Sequence, residues 1–308
     1  MLEIFLQVIP FFAIIGLGYV AGRSGFFPEN AAAILTKFVF YFALSAMLFG
    51  FASRAKLAEV LDWQLVGAYL VGSALIYMLA TGIALFRKRG VEEAAVEAQI
   101  SVVGNVGFLG IPMLALLFGQ EALKAVLLVL AVDLIVFGSL IVILITGTRD
   151  GRFSPAILLT VASGLMRNPM IVAIVLGFLW SGFGIPVPGP LESFLDLLGG
   201  AATPGALFAI GASLASKSTE RLVVAGWLSF AKLVLHPLAV ALAALWLFEV
   251  NAFDRGVMIA AAALPVAGNV YILAQHFGVA PQRASASILI STTLSVATVS
   301  LVIGWVAV

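Results

Sequence analysis

The tripeptide Gly104-Asn105-Val106 returns as Gly268-Asn269-Val270, each time inside an apolar run long enough to cross a bilayer. Pro112 follows the first copy and Pro265 precedes the second. Glycine, asparagine and proline all weaken a helix, and in lipid every freed backbone N–H and C=O needs an internal partner. An interrupted span is therefore tolerated only where it is buried in protein or lines a cavity. Interruptions at matching places in two halves of a chain point to the binding site of a secondary transporter.

Ten apolar runs of membrane-crossing length are predicted: about 4–22, 30–52, 63–86, 94–118, 121–147, 168–183, 190–215, 221–248, 254–277 and 283–306. With 63% hydrophobic and 10% charged residues and a mean hydropathy of +1.18, the 308-residue chain is expected to be an all-α integral membrane protein. No cysteine is present, which excludes disulfides and thiolate chemistry, and the two histidines lack further ligands for a metal. The first run begins with Glu3 and contains Pro10, unlike a signal peptide. Between spans 5 and 6, Ser154-Pro155 predicts a short interfacial helix leading into Asn168-Pro169. Ten spans put both termini on one side. That side carries 4 loop cations and the other carries 11, so the positive-inside rule turns both termini outward. The basic triplet Arg87-Lys88-Arg89 is assigned to topology.

The halves match each other. A shift of 159 residues superposes Pro10 on Pro169, Gly18 on Gly177, Gly25 on Gly184 and Phe49 on Phe208. A shift of 164 superposes Trp63 on Trp227 and the two Gly-Asn-Val copies. Each half holds five spans, so equivalent spans run in opposite directions, as in an inverted repeat. The expected organisation is 1–147 as the first repeat, 148–167 as a cytoplasmic linker and 168–308 as the second repeat.

Gly-Asn-Val-Gly-Phe-Leu-Gly-Ile-Pro at 104–112 and Leu-Pro-Val-Ala-Gly-Asn-Val-Tyr at 264–271 resemble signatures of the auxin efflux carrier family. Leu-Phe-Ala-Ile-Gly-Ala-Ser-Leu at 207–214 and Ser-Thr-Thr-Leu-Ser at 291–295 do the same. The likeness runs the length of the chain and is nearest to short bacterial members described as malate or malonate permeases. It implies a bile-acid-symporter-like fold with a scaffold of spans 1, 2, 6 and 7. A transport domain of spans 3, 4, 5, 8, 9 and 10 would move as an elevator, with broken spans 4 and 9 crossing at the site. It also implies a homodimer, joined through the scaffold, in the bacterial inner membrane. Sodium-coupled proteins of that fold use an acidic residue on span 9. Leu264 to Gln275 contains no Asp or Glu, so sodium coupling is not expected.

The residues support an anion site on physical grounds. Half-helix N-termini carry partial positive charge and free N–H groups, suited to a carboxylate. Asn105 and Asn269 add amide donors without adding charge in lipid, although each could instead only cap broken backbone. Gly104, Gly268, Pro112 and Pro265 shape the breaks, and Ser45, equivalent to Pro204 in the repeat, marks irregularity in spans 2 and 7. Asp133 and Lys232 lie at mid-depth in spans 5 and 8, where ionisable residues are rare and suggest function with a partner. They read equally as an ion-coupling pair or as a structural one. His236 shares a helical face with Lys232 and precedes the helix-loosening Pro237. Ser287, Ser291, Ser295 and Thr298 form a stripe on span 10 that reads as packing. Gln99, Gln275 and His276 are candidates to line a vestibule.

The expected function is secondary transport of small organic anions, mono- or dicarboxylates such as malate or malonate, or aromatic auxin-like carboxylates. No cofactor or nucleic acid is implied. A receptor that binds the same ligands without moving them is the alternative. Enzymatic activity is not expected, since no nucleophile–base pair or metal set accompanies Asp133.

Overall fold

The computed structural model describes residues 2–55, 60–150, 159, 162–163, 165–215 and 222–306. Among them the chain is helical, without β-strands. Twelve helical segments are distinguished here: α1 (Leu2–Arg23), α2 (Glu29–Arg54), α3 (Trp63–Phe86), α4 (Val91–Val102), α5 (Val106–Phe118) and α6 (Ala122–Arg149). They continue with α7 (Pro169–Gly182), α8 (Gly189–Leu214), α9 (Leu222–Trp246), α10 (Ala252–Ala262), α11 (Gly268–Phe277) and α12 (Pro281–Val306). Six of these, α2, α3, α6, α8, α9 and α12, are long and apolar enough to cross a membrane. The interfacial helix expected after Ser154-Pro155 falls outside the described residues.

Helix ends follow the local sequence. Asp62 caps α3 by accepting from the Gln64 and Leu65 amides, and Asn168 caps α7 ahead of Pro169 at the first helical position. Gly278 ends α11 in the left-handed region at φ 68°, a conformation that favours glycine. Within longer helices the regular ladder loosens to single π-helical turns at Val39–Ala43, Val106–Gly110, Val132–Phe137 and Ala231–Leu235. The last has a direct cause: Pro237 has no N–H to give to the preceding turn. Ala201 interrupts α8 just before Pro204.

Helix α1 lies along α8, α2 along α7 and α8, and α3 between α4 and α9. Close approach is built from glycine. A Cβ on Gly18 would strike the Phe208 carbonyl oxygen, and one on Gly211 would strike that of Ile15. A Cβ on Gly177 would come within 3.0 Å of the Phe49 carbonyl oxygen and 2.6 Å of Ala52 Cβ. Small residues at such crossings let backbones touch, which is how helices gain contact in lipid. The contact Gly18–Phe208 and the contact Gly177–Phe49 exchange under the same 159-residue shift that relates the two halves.

The candidate anion site at the crossing of two broken helices

Helix α4 ends at Val102 and α5 begins at Val106; α10 ends at Ala262 and α11 begins at Gly268. The two non-helical stretches meet as an antiparallel pair. Gly104 bridges Val266, the Asn105 amide donates to the Pro265 carbonyl (2.8 Å), and the Ala267 amide donates to the Val103 carbonyl (3.1 Å). The remaining amides of the second break are satisfied one by one. Ala263 donates to Ile259, Leu264 donates to Ala261, Pro265 has no N–H, and Val266 donates to Ser291 Oγ at 3.1 Å. Complete satisfaction is what a buried interruption requires. Ser291, predicted as packing, thus serves the crossing directly.

Some donors at the two helix starts remain free. The N–H groups of Gly107 and Phe108 in the first turn of α5 have no acceptor among the described residues. The same holds for Gly268 and Asn269 in the first turn of α11. Asn105 is 7% exposed, and its side-chain amide has no hydrogen bond among the described residues. Asn269 and Gly268 are exposed, so the two halves present their asparagines differently. The paired stretches place Asn105 beside Pro265 and Asn269 beyond the opposite end of the Gly104–Val266 bridge. Each helix start therefore offers its own set of donors, one on each side of the bridge.

Beside this crossing, Phe108 stacks on Phe40 of α2 with ring centroids 5.8 Å apart, and Met170 Cε of α7 lies near Gly107. A cavity of about 710 Å³ opens between α2, α5 and α8, lined by Met47, Arg54, Pro112, Gln120, Asp196 and Thr203 among others. Arg54 is tied across it to Asp196 (3.0 Å) and Glu192 (3.3 Å). Pro112 thus lines the cavity. Ser45 does not, and its hydroxyl bonds the Phe40 carbonyl beside the π turn at 3.1 Å. Gln99, expected at a vestibule, is buried in α4.

Behind the crossing lies a buried polar group of side chains. Asp133 accepts from the Tyr69 hydroxyl at 2.8 Å, and its second oxygen has no hydrogen-bond partner. Lys232 donates to the Ala262 carbonyl and meets His236 Nδ1 at 3.1 Å. His236 Nε2 meets Ser73 Oγ at 2.9 Å. Gly104 lies between the two charges, its amide facing Asp133 and its missing Cβ leaving room for Lys232 Nζ. No ion pair within 4.0 Å joins Asp133 directly to Lys232 among the described residues. Sequence inspection singled out Asp133, Lys232 and His236 but missed Tyr69 and Ser73, whose only signal was a spacing of four residues on one face of α3.

Ion pairs hold the outer ends of the broken helices. At one face Glu97 of α4, fully buried, pairs with Arg87 and Arg283, while Glu93 pairs with Arg283 at 3.0 Å. Arg149 pairs with Glu92 (2.8 Å) and donates to the carbonyl of Phe277, where α11 ends (2.6 Å). At the other face Lys124 pairs with Asp254 near the start of α10 at 3.0 Å. Arg87 and Arg89, which pairs with Glu93, thus have packing partners as well as a place in the loop-charge pattern.

Residues 3–303 match the family described as "Membrane transport protein". The chain belongs to this family, the auxin efflux carriers. It is 33% identical over 306 residues to a "Putative malonate transporter" of Rhizobium meliloti, covering 97% of this chain and 95% of that one. It is 29% identical over 292 residues to the uncharacterized transporter YfdV of Escherichia coli K12, covering 92% of each. A mouse "Lysosomal cholesterol signaling protein" is 26% identical over 327 residues, covering 95% of this chain but 36% of that much longer protein. This auxin efflux carrier family member is thus an integral membrane protein of a transporter family.

Proposed function

We propose that the chain is a secondary carrier of small organic anions, with dicarboxylates such as malonate or malate as the best-fitting class. The observation that carries this reading is the crossing: two helix starts, each with free N–H groups, lie on opposite sides of one backbone bridge. Two such seats match two carboxylates on a short linker, and a helix start favours negative charge. The name of the Rhizobium relative agrees with this class. The stacked Phe40 and Phe108 beside the α5 seat leave aromatic carboxylates as a second class to test.

In this reading α4–α5 and α10–α11 are single broken spans, and the chain crosses the membrane ten times as two inverted repeats with both termini outside. The matched contacts Gly18–Phe208 and Gly177–Phe49 support that symmetry. Helices α1, α2, α7 and α8 form a scaffold that also makes a homodimer in the inner membrane. The remaining helices move against it as an elevator, with the cavity between α2, α5 and α8 as one access path. Transport does not require sodium, because residues 264–275 supply no carboxylate.

The test is uptake of labelled malonate and malate into proteoliposomes, with sodium present or replaced by choline at fixed pH. Saturable uptake equal in both media is expected. Binding without flux would favour a receptor, and strict sodium dependence would overturn the cation assignment.

A further inference from the structure

Lys232 is fully buried, yet its nearest acceptor is a main-chain oxygen rather than an acid. That oxygen belongs to Ala262, the last residue of α10, where unpaired carbonyls concentrate partial negative charge. The Ala261 carbonyl lies close by, on the same side of Gly104 as the ammonium. The other groups facing this spot are His236 from α9, Ser73 and Tyr69 from α3, and Asp133 from α6. Asp133 is the one acid among them, with one carboxylate oxygen buried and unpartnered. With its proton on Nε2, His236 donates to Ser73 and accepts from the ammonium at Nδ1; with the proton on Nδ1 it would instead donate to the Ala262 carbonyl, 3.2 Å away, and accept from Ser73.

A neutral donor would suffice to cap Ala262. A full charge is needed only because a helix end and a carboxylate both direct negative potential at the same place. We propose that the Lys232 ammonium is a tethered monovalent cation, occupying an oxygen-lined seat beneath the crossing that would otherwise have to be filled by a free one. The chain thereby carries its own cation beside the anion site, which gives the sodium independence of the proposed function a structural cause. The inference rests on that reading for its consequence in transport, but the seat itself can be tested without any substrate.

The experiment uses detergent-purified protein and three variants: Lys232→Ala, which empties the seat, Lys232→Gln, which keeps a donor without charge, and Lys232→Ala combined with Asp133→Asn. Melting temperature is measured in choline chloride and in ammonium, methylammonium, sodium and potassium chlorides at equal ionic strength. The wild type is expected to melt alike in all five. Lys232→Ala should melt lower in choline and recover by several degrees in at least one small cation, whereas Lys232→Gln should stay low in every salt. The double variant, having lost the acid as well, should purify and show no cation response. A Lys232→Gln variant as stable as wild type in choline would show that charge is unnecessary and overturn the proposal. So would a Lys232→Ala variant indifferent to every small cation, or, should that variant not purify, a double variant that still responds to cations. Malonate uptake by Lys232→Ala should depend on the same cation that restores its melting. If melting responds while no protein, wild type included, moves a carboxylate, the substrate reading fails and the seat stands.

Discussion

Ser291 and Ser295 are both fully buried on one face of α12, four residues apart, yet their hydroxyls have different tasks. Each donates to its own helix, Ser291 Oγ to Ile288 at 3.2 Å and Ser295 Oγ to Thr292 at 2.8 Å, but only Ser291 also accepts the Val266 amide from the second break. Replacing Ser291 by alanine strands a main-chain N–H that is itself buried, since Val266 is 1% exposed. An unsatisfied buried donor costs about 1–3 kcal/mol, or about 5–150-fold in the folded population. Ser295→Ala removes a bond to a carbonyl of its own helix, and its cost should stay below about 1 kcal/mol. The two variants remove the same atom from the same helix face, so volume and helix propensity cancel in the comparison. Reversible unfolding in mixed micelles, followed by circular dichroism, reads the difference. The same lost bond loosens the stretch leading into Asn269, so malonate affinity should fall in Ser291→Ala more than in Ser295→Ala. Equal stability of the two variants would mean that the Val266 amide has another acceptor, and the hydrogen-bond accounting of the crossing would be refuted.

Asn105→Ala and Asn269→Ala should each weaken dicarboxylate binding by about 1–3 kcal/mol if each leaves a buried carboxylate oxygen unpaired; calorimetric titration giving wild-type affinity in both would reject the site. Asp133→Asn and Lys232→Met should each lower the melting temperature, because each leaves the other charge buried alone, and the double variant should recover much of it. Normal flux in a stable double variant would assign those two residues a structural role only. Glu97→Gln, which leaves Arg283 and Arg87 without their fully buried partner, should destabilise by about 3–5 kcal/mol, while Glu93→Gln, at a 36% exposed side chain, should cost about 0–1 kcal/mol. Similar melting temperatures for these two variants would show that the ion pairs do not hold the broken helices.

The breaks were legible because Gly, Asn and Pro are costly in apolar runs, and local chemistry alone marks them. The charges at mid-depth were legible for the same reason. The contacts that give those residues their tasks were not. Tyr69 is amphipathic and fits an apolar helix without protest, so nothing in its neighbourhood announces that it bonds Asp133 from 64 positions away. Ser291 belongs to a serine stripe that usually bonds its own helix, and it does donate to Ile288; only the position of Val266, a tertiary fact, adds the second partner. Glu97 stands near the start of a span, where charges ordinarily meet water, and its complete burial depends on Arg283 arriving from the far end of the chain. Asp133 and Lys232 both fall at mid-depth of their predicted spans, but depth cannot reveal the strand of backbone between them. That backbone is Gly104, and a side chain there would sit 3.3 Å from the ammonium. The glycine chosen by the sequence as a helix breaker therefore also lets the Lys232 ammonium pack closely against the crossing, and one residue meets both demands because it has no Cβ.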